Sequence, residues 1–206
     1  METNREKVSY CIGLETGKNI IGQFKDLDLE LLTKGFSDAL NQRTPTLELG
    51  EINKIMTALS KQVKEQQREY VGELSEKNKS DGEAFMNENK DKDGIVALPN
   101  GLQYKVLQAG NGNSPTIHDV VTVHYRGTLI DGTVFDSSYE REEPTKFPVN
   151  RVIPGWSEAL KMMKVGDKWQ VFIPSYLAYG EQGYGPQIEP NSTLIFEMEL
   201  LEVAPQ

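Results

Sequence analysis

The chain has little of what metal binding, disulfide bonding or membrane insertion requires. Its 206 residues include one cysteine, Cys11, and two histidines, His118 and His124. One thiol cannot close an internal disulfide, and one cysteine with two histidines is too few for a zinc cluster. No apolar run reaches the roughly 18 residues of a membrane-spanning helix. We therefore expect no metal, no cofactor and no membrane span.

Positive charge is also scarce, because 31 acidic residues outnumber 22 basic ones and leave a formal net charge of −9. A nucleic-acid-binding surface depends on a basic patch, so we expect no nucleic-acid partner. The first residues are polar and no apolar signal segment follows them, which predicts a cytoplasmic location for the chain as given. The periplasm or cell envelope is the alternative if a leader has been removed.

Up to about residue 95 the chain has helical spacing, with one proline, Pro45, and no β-branched run. Leu29, Leu32 and Phe36 recur at intervals of three and four and predict a short helix. A second apolar stripe starts at Ile52 and opens a long helix, predicted over residues 51–89. The last third of this helix is polar on all sides, which is typical of a solvent-exposed spacer between domains.

These patterns divide the chain into a helical dimerisation domain, 1–50, a long linker helix, 51–94, and a C-terminal domain, 95–206. About 60 residues of short helices make a poor independent core. We therefore expect the first helices to interleave with those of a second chain. The alternative is that they fold back on the C-terminal half of their own chain.

The second half changes to a period of two. Residues 121–125, 169–173 and 194–200 alternate in sidedness, which is typical of strands with one buried face. Asp131 and Gly132 form a tight hairpin signal between two strands. Residues 156–163 have helical spacing that turns Trp156 inward. We expect an α+β fold in which an antiparallel sheet wraps on one short helix.

Aromatic and aliphatic side chains stand at strand ends and in loops of this half, where binding residues concentrate. They are Tyr125, Phe135, Phe147, Val152, Ile153, Trp156, Tyr179, Ile188 and Phe196. Asp136 follows Phe135, and a carboxylate among aromatic rings needs a hydrogen-bonding role. Trp156 alone favours plain core packing, but together with these neighbours it favours the floor of an apolar pocket. No nucleophile with an adjacent base stands out.

Five segments of the second half, in this order, resemble the FKBP-type peptidyl-prolyl cis-trans isomerases. They are residues 123–129 (VHYRGTL), 132–138 (GTVFDSS), 152–156 (VIPGW), 177–180 (LAYG) and 190–196 (PNSTLIF). The resemblance covers about residues 100–203. The helical half, with residues 10–17 (YCIGLETG), is similar to the bacterial macrophage-infectivity-potentiator (Mip) subfamily, whose members are V-shaped dimers.

The resemblance implies an FKBP-like fold and an enzyme that rotates X-Pro bonds in folding proteins. It also implies a homodimer whose partners are unfolded or proline-containing clients and macrolide inhibitors. The catalytic residues that it implies are Tyr125, Asp136, Tyr179 and Trp156. The substrate-binding residues that it implies are Phe135, Phe147, Val152, Ile153, Ile188 and Phe196.

Two residues depart from the family pattern. Arg151 stands where the best-known eukaryotic members carry an acidic residue, and Tyr184 stands where they often carry histidine. Both positions belong to the pocket rim, so the resemblance does not carry over macrolide affinity or peptide preference, while it does carry over the pocket floor. The alternative function is a chaperone or proline-motif binding module in which isomerisation is secondary.

Overall fold

The computed structural model describes residues 1–205, and the chain begins with three helices. They are α1 (Asn4–Gln23), α2 (Leu29–Leu40) and α3 (Leu49–Asn89). Thr3 and Glu6 form a capping box at the start of α1, and the Asp28 carboxylate caps α2, so both helices begin where the sequence supplies acceptors. No helix within residues 1–205 combines the length and apolarity needed to cross a membrane.

The chain divides into two compact units, Met1–Val63 and the residues from Lys64 onward. In the first unit no side chain of α1 or α2 is fully buried. Large apolar residues such as Ile12, Leu31 and Leu40 are exposed on these helices. The first unit therefore presents apolar faces that it does not cover by itself.

The second unit contains an antiparallel sheet of seven strands. They are β1 (Ile95–Ala97), β2 (Gln103–Gln108), β3 (Asp119–Leu129), β4 (Val134–Ser137), β5 (Thr145–Pro148), β6 (Lys168–Ile173) and β7 (Leu194–Pro205). The strand order is β1-β2-β6-β7-β3-β4, and β5 pairs with the first half of β3. Every pairing is antiparallel, which confirms the predicted α+β class.

A single short helix, α4 (Pro154–Met162), packs on one face of this sheet. Trp156, Ala159 and Leu160 are its buried side chains. The alternating strands turn their predicted apolar residues to the same core. Those residues are Val121, Val123, Tyr125, Trp169, Val171, Ile173, Leu194, Phe196, Met198 and Leu200. The period-two prediction is therefore confirmed for β3, β6 and β7.

The hairpin between β3 and β4 also forms as predicted. Gly132 has φ +88°, a value that favours glycine, and the backbone N–H of Leu129 donates to the Thr133 carbonyl at 2.9 Å. The Asp131 carboxylate accepts the Thr133 N–H at 2.9 Å and closes the turn. The two strands that frame the site are thus joined by a tight turn, and their register shifts between Gly127 and Thr128.

The last third of α3 is not the all-round exposed spacer that its polar sequence predicts. Gly82, Met86 and Asn89 are buried on one face, and the Phe85 ring lies 6.0 Å from the Phe172 ring of β6. Part of this face is made of polar side chains that form hydrogen bonds: the Asn89 amide donates to the Gln103 side-chain carbonyl at 3.0 Å. Hydrophobic periodicity cannot detect such a buried face, because its members are not all apolar.

Candidate active site

The site is organised around Trp156 in the first turn of α4. Pro154 occupies the first helical position, where its missing N–H is not needed, and this starts the helix directly beneath the sheet. The indole is only 4% exposed. Three rings meet it edge-on: Tyr125 at 5.0 Å, Phe196 at 5.1 Å and Phe147 at 5.5 Å between centroids, at 81–85° to its plane. Trp156 is therefore a flat floor bounded by upright aromatic walls.

Phe135 completes these walls from β4. Its ring meets Phe196 edge-on at 5.5 Å and 85°. Gly127 of β3 lies behind both rings, and a Cβ atom there would approach Phe135 to 2.6 Å and Phe196 to 2.8 Å. The absence of a side chain at Gly127 is thus what lets the two rings stand against the sheet.

The opposite rim carries two polar groups that have no partner in residues 1–205. The backbone N–H of Ile153, just before α4, donates to no protein acceptor, and the Tyr179 hydroxyl likewise forms no hydrogen bond within the protein. Both residues line the cavity beside Val152. The site therefore offers two free donors at the edge of an apolar box.

The cavity has a volume of about 390 Å³, enough for a proline ring with its neighbouring residues. Its lining residues are Tyr125, Phe135, Asp136, Phe147, Arg151, Val152, Ile153, Trp156, Tyr179, Tyr184 and Phe196. Nine of the ten predicted site residues are thus brought together. Ile188 is the exception, because its side chain is buried within the loop that carries Tyr184 and does not line the cavity.

A three-residue polar network lies on one side of the box. The Tyr125 hydroxyl donates to the Asp136 carboxylate at 2.5 Å. The Arg141 guanidinium forms an ion pair with the same carboxylate and donates to the Tyr125 hydroxyl at 2.9 Å. It also lies 5.7 Å from the centre of the Tyr125 ring. The network holds the Tyr125 ring from both its edge and its face.

These contacts set the charge of each group. Burial raises the pKa of the Asp136 carboxyl, but hydrogen bonds from Tyr125 and Arg141 outweigh burial and leave the pKa below its ordinary value. Burial and the hydrogen bond to Asp136 raise the pKa of the Tyr125 hydroxyl, although Arg141 opposes them. At neutral pH the network is therefore a carboxylate, a neutral phenol and a guanidinium.

Arg141 is a site residue that no sequence pattern singles out. It stands in a charged loop, residues 139–144 (YEREEP), where an arginine is ordinarily a solvated surface side chain. The only sequence feature that links Arg141 to the site is that it follows Asp136 by five residues across a short turn. The ion pair depends on how that turn folds back, which no periodicity predicts.

The residues around the cavity include no activated nucleophile. No group of three or more histidine, cysteine, aspartate or glutamate side chains in the described part of the chain is placed to hold a metal ion. The apolar walls of the cavity can bind a ring. The two free donors and the network around the neutral Tyr125 phenol can orient carbonyl groups. The cavity is suited to conformational chemistry in which no covalent bond breaks.

Comparison with known proteins agrees with this chemistry. Residues 112–201 match the family model described as FKBP-type peptidyl-prolyl cis-trans isomerase. Residues 5–106 match the model described as the domain amino terminal to FKBP-type peptidyl-prolyl isomerase. The two matches together cover nearly the whole chain.

Similar proteins match along their length as well. The chain is 43% identical to "Outer membrane protein MIP" of Legionella longbeachae over 98% of this chain and 87% of that protein. It is 41% identical to the "FKBP-type 22 kDa peptidyl-prolyl cis-trans isomerase" of Escherichia coli K12, covering 98% and 97%. The crystal structure of FkpA from Escherichia coli superposes with a TM-score of 0.77 at 36% identity, covering 100% and 99%. The chain therefore belongs to the FKBP-type peptidyl-prolyl cis-trans isomerases and is a Mip- and FkpA-like member of that enzyme family.

Proposed function

We propose that this isomerase binds the proline of an X-Pro bond on Trp156 and rotates the bond inside the aromatic cavity. The observation that carries the proposal is the box itself: a buried indole floor, three rings perpendicular to it, and two unpartnered donors at the rim. A pyrrolidine ring is compact and apolar and fits on such a floor. Proline is also the one residue whose preceding amide is nearly balanced between cis and trans.

The apolar walls lower the rotational barrier. An X-Pro amide resists rotation, with a barrier of about 18–20 kcal/mol, because resonance places partial charge on its oxygen and nitrogen. Water stabilises that polar form, and an apolar environment stabilises it less. Moving the amide from water onto Phe135, Phe196 and Trp156 therefore favours the twisted, less polar amide relative to the planar one.

The two free donors hold the substrate while the amide rotates. The Ile153 N–H and the Tyr179 hydroxyl can each bind one carbonyl oxygen of the peptide. Fixing the chain on one side of the bond leaves only the other side to turn, which removes the entropic cost of orienting the peptide during the step. Burial raises the pKa of the Tyr179 hydroxyl, so Tyr179 keeps its proton at neutral pH.

Asp136 acts by position and charge rather than as a general acid. The pKa of Asp136 lies below its ordinary value, so at neutral pH it has no proton to give. The carboxylate orients the Tyr125 hydroxyl and, together with Arg141, fixes the Tyr125 ring against Trp156. The positively charged Arg141 next to the carboxylate limits the field that reaches the bound amide.

Replacement of the floor tests this proposal. Trp156→Leu removes the surface on which the proline ring lies, so kcat/KM for a proline-containing tetrapeptide falls by at least about tenfold, equivalent to about 1.4 kcal/mol of transition-state binding. Trp169→Leu is the matched control, because Trp169 is equally buried but stacks on Tyr104 away from the cavity. Unchanged turnover in Trp156→Leu, measured on folded protein, rejects the site.

We also propose that the enzyme is a homodimer joined through its N-terminal helices. The exposed apolar faces of α1 and α2 support this, because exposing Ile12, Leu31 and Leu40 to water costs free energy that a second copy recovers. On α1, Tyr10, Leu14 and Ile21 surround an open apolar groove with three glycines at its base. Small residues permit close approach of a second helix.

A second function, the binding of unfolded clients, is favoured by the same unit. A groove between α2 and the start of α3 is lined mainly by apolar atoms, with Leu31, Ala39 and Ile52 among its residues. Apolar grooves of this kind bind the apolar face of a peptide segment. We expect clients held there to be substrates of the isomerase unit.

We further propose that the cavity binds macrolide inhibitors and that the protein is located in the cell envelope. The aromatic floor favours macrolide binding, and Arg151 and Tyr184 at the rim set an affinity different from that of members with acidic and histidine residues there. Isothermal titration with a macrolide tests this. Similarity to an outer membrane protein of Legionella longbeachae favours the cell envelope over the cytoplasm, and cell fractionation distinguishes the two.

A further inference from the structure

The loop of residues 183–193 forms one side of the cavity and is held only in part by its own contacts. Tyr184 and Ile188 exchange backbone hydrogen bonds of 2.8 and 3.2 Å, which closes a small hairpin at the loop tip. The Tyr184 ring stacks on Tyr179 at 4.9 Å, although Tyr184 is 66% exposed. The position of this loop therefore determines where one wall of the cavity lies.

The base of the loop is fastened to α3, which lies outside the FKBP motifs. The Asn78 amide donates to the Pro190 carbonyl at 3.0 Å and to the Glu189 carboxylate at 3.1 Å. Three residues earlier on the same helix, the Ser75 hydroxyl accepts a hydrogen bond of 2.8 Å from the Asn191 amide. Residues more than a hundred positions apart are thereby joined by three hydrogen bonds.

A third position on the same face of α3 allows close contact. Gly82 follows Ser75 and Asn78 at helical spacing, and a Cβ atom on Gly82 would collide with the Thr193 side chain. The helix therefore lies directly against the loop from residue 189 to residue 193. This stretch of α3 and the loop behave as one packed element.

Asn191 connects the helix to the cavity. Its side chain donates to Ser75, and its backbone N–H donates to the Gly180 carbonyl at 2.8 Å, next to Tyr179. Its φ of +58° lies in the left-handed region, which asparagine adopts more readily than most residues, and the two hydrogen bonds fix it there. A shift of Asn191 displaces Gly180, and with it the Tyr179 hydroxyl and the stacked Tyr184 ring.

We propose that Ser75 and Asn78 of α3 are positioning residues of the isomerase. They fix the loop of residues 183–193 so that the Tyr179 hydroxyl and the Tyr184 ring are set for the residue that precedes the substrate proline. The inference rests on the proposed location of the proline site. It makes the part of α3 that carries Ser75 and Asn78 a component of the catalytic unit.

The test uses the full chain and compares Ser75→Ala, Asn78→Ala and their double variant with Asn89→Ala. Asn89 also fixes α3 to the sheet, through Gln103, but contacts no residue of the loop. It is therefore the control for loss of docking alone. Ser75→Thr keeps a hydroxyl and should restore what Ser75→Ala loses. Turnover is measured with tetrapeptides that differ in the residue before proline, and amide hydrogen exchange is measured at Tyr184 and Ile188.

In the double variant we expect exchange at the Tyr184 and Ile188 amides to accelerate by about tenfold or more, since the loop base opens locally. We expect kcat/KM to fall by about three- to tenfold, with a different factor for each residue before proline, because the displaced rim contacts that residue. Asn89→Ala should lower the denaturation midpoint and leave the ratios among peptides unchanged.

Equal loss for all peptides, or the same loss in Asn89→Ala, would show that the contacts only stabilise the fold and would overturn the proposal. Unchanged turnover and exchange in the double variant would overturn it as well. A wrong location of the proline site would be recognised separately, because Trp156→Leu would then retain full turnover. If Trp156→Leu is inactive while the double variant behaves as wild type, only the positioning role is wrong.

Discussion

At the scale of single residues, the balance of charge around Asp136 decides how the cavity responds to pH. The pKa of Asp136 is below its ordinary value because the hydrogen bonds from Tyr125 and Arg141 outweigh burial. A carboxylate of this kind contributes stability that is present above its unfolded pKa and is lost as the pH falls through its folded pKa. Tyr125 has a raised pKa, so its contribution is lost only on the alkaline side.

We therefore expect kcat/KM to be constant between about pH 5 and pH 9, since the ordinary pKa values are about 3.9 for aspartate and about 10 for tyrosine. In Arg141→Gln the pKa of Asp136 rises, because a stabilising hydrogen bond and charge are lost, so the acid limb of the pH profile moves to higher pH. Arg126→Gln is the control, as Arg126 is an exposed arginine on the neighbouring strand β3. Superimposable acid limbs in Arg141→Gln and wild type would contradict this role of Arg141.

At the scale of secondary-structure elements, α3 belongs to both compact units. Its polar second half binds the sheet through Asn89 and Gln103, through the Phe85 and Phe172 rings, and through the buried Met86. The sequence places the isomerase domain at residues 95–206. We propose instead that its folding unit starts near Lys64, where the contact boundary falls.

Two truncations separate these boundaries. A chain that starts at Lys64 keeps the docked half of α3, and we expect its peptide kcat/KM to stay within about twofold of the full chain. A chain that starts at Asp91 loses that half and exposes Phe172 and Gln103 to water. Its urea midpoint should fall clearly, because buried apolar area and buried hydrogen bonds are lost. Equal midpoints for the two truncations would show that α3 adds nothing to the fold of the isomerase unit.

At the scale of the whole molecule, the uncovered apolar faces of the first unit argue for association. Sedimentation of the full chain at micromolar concentration should give about twice the 23.2 kDa of one chain. Leu14→Glu places a charge in the apolar groove of α1 and should yield a monomer that keeps its peptide turnover. Lys7→Glu, a change on the exposed surface of the same helix, is the control. A full chain that sediments at 23.2 kDa would reject the dimer.

The same monomeric variant tests client binding. If the first unit holds unfolded proteins as a dimer, Leu14→Glu should catalyse refolding of a proline-limited protein substrate less well than wild type, although its turnover of short peptides is equal. The reason is that two linked units hold a client at a higher local concentration than one. Equal rates on the protein substrate would show that peptide catalysis alone explains the activity.

Features that repeat over a few residues could be predicted from the sequence. The alternation in β3, β6 and β7, the Asp131 and Gly132 turn, and the inward face of α4 with Trp156 all follow from local periodicity and turn chemistry. Such patterns are local because each strand or helix turn must bury one face. The FKBP motifs added the identities of the cavity residues.

Polar contacts between distant segments could not be predicted from the sequence, because they depend on how the chain folds. Arg141 pairs with Asp136, and α3 docks on the sheet and the loop through Asn89 and Asn78. Ile188 does not line the cavity. None of these features follows from a periodic pattern in the sequence. Polar side chains can form hydrogen bonds with water as well as with protein groups, so the sequence does not show which of them are buried and paired. Only the folded chain brings their partners within hydrogen-bonding distance, and the position of the loop beside Trp156 is set there.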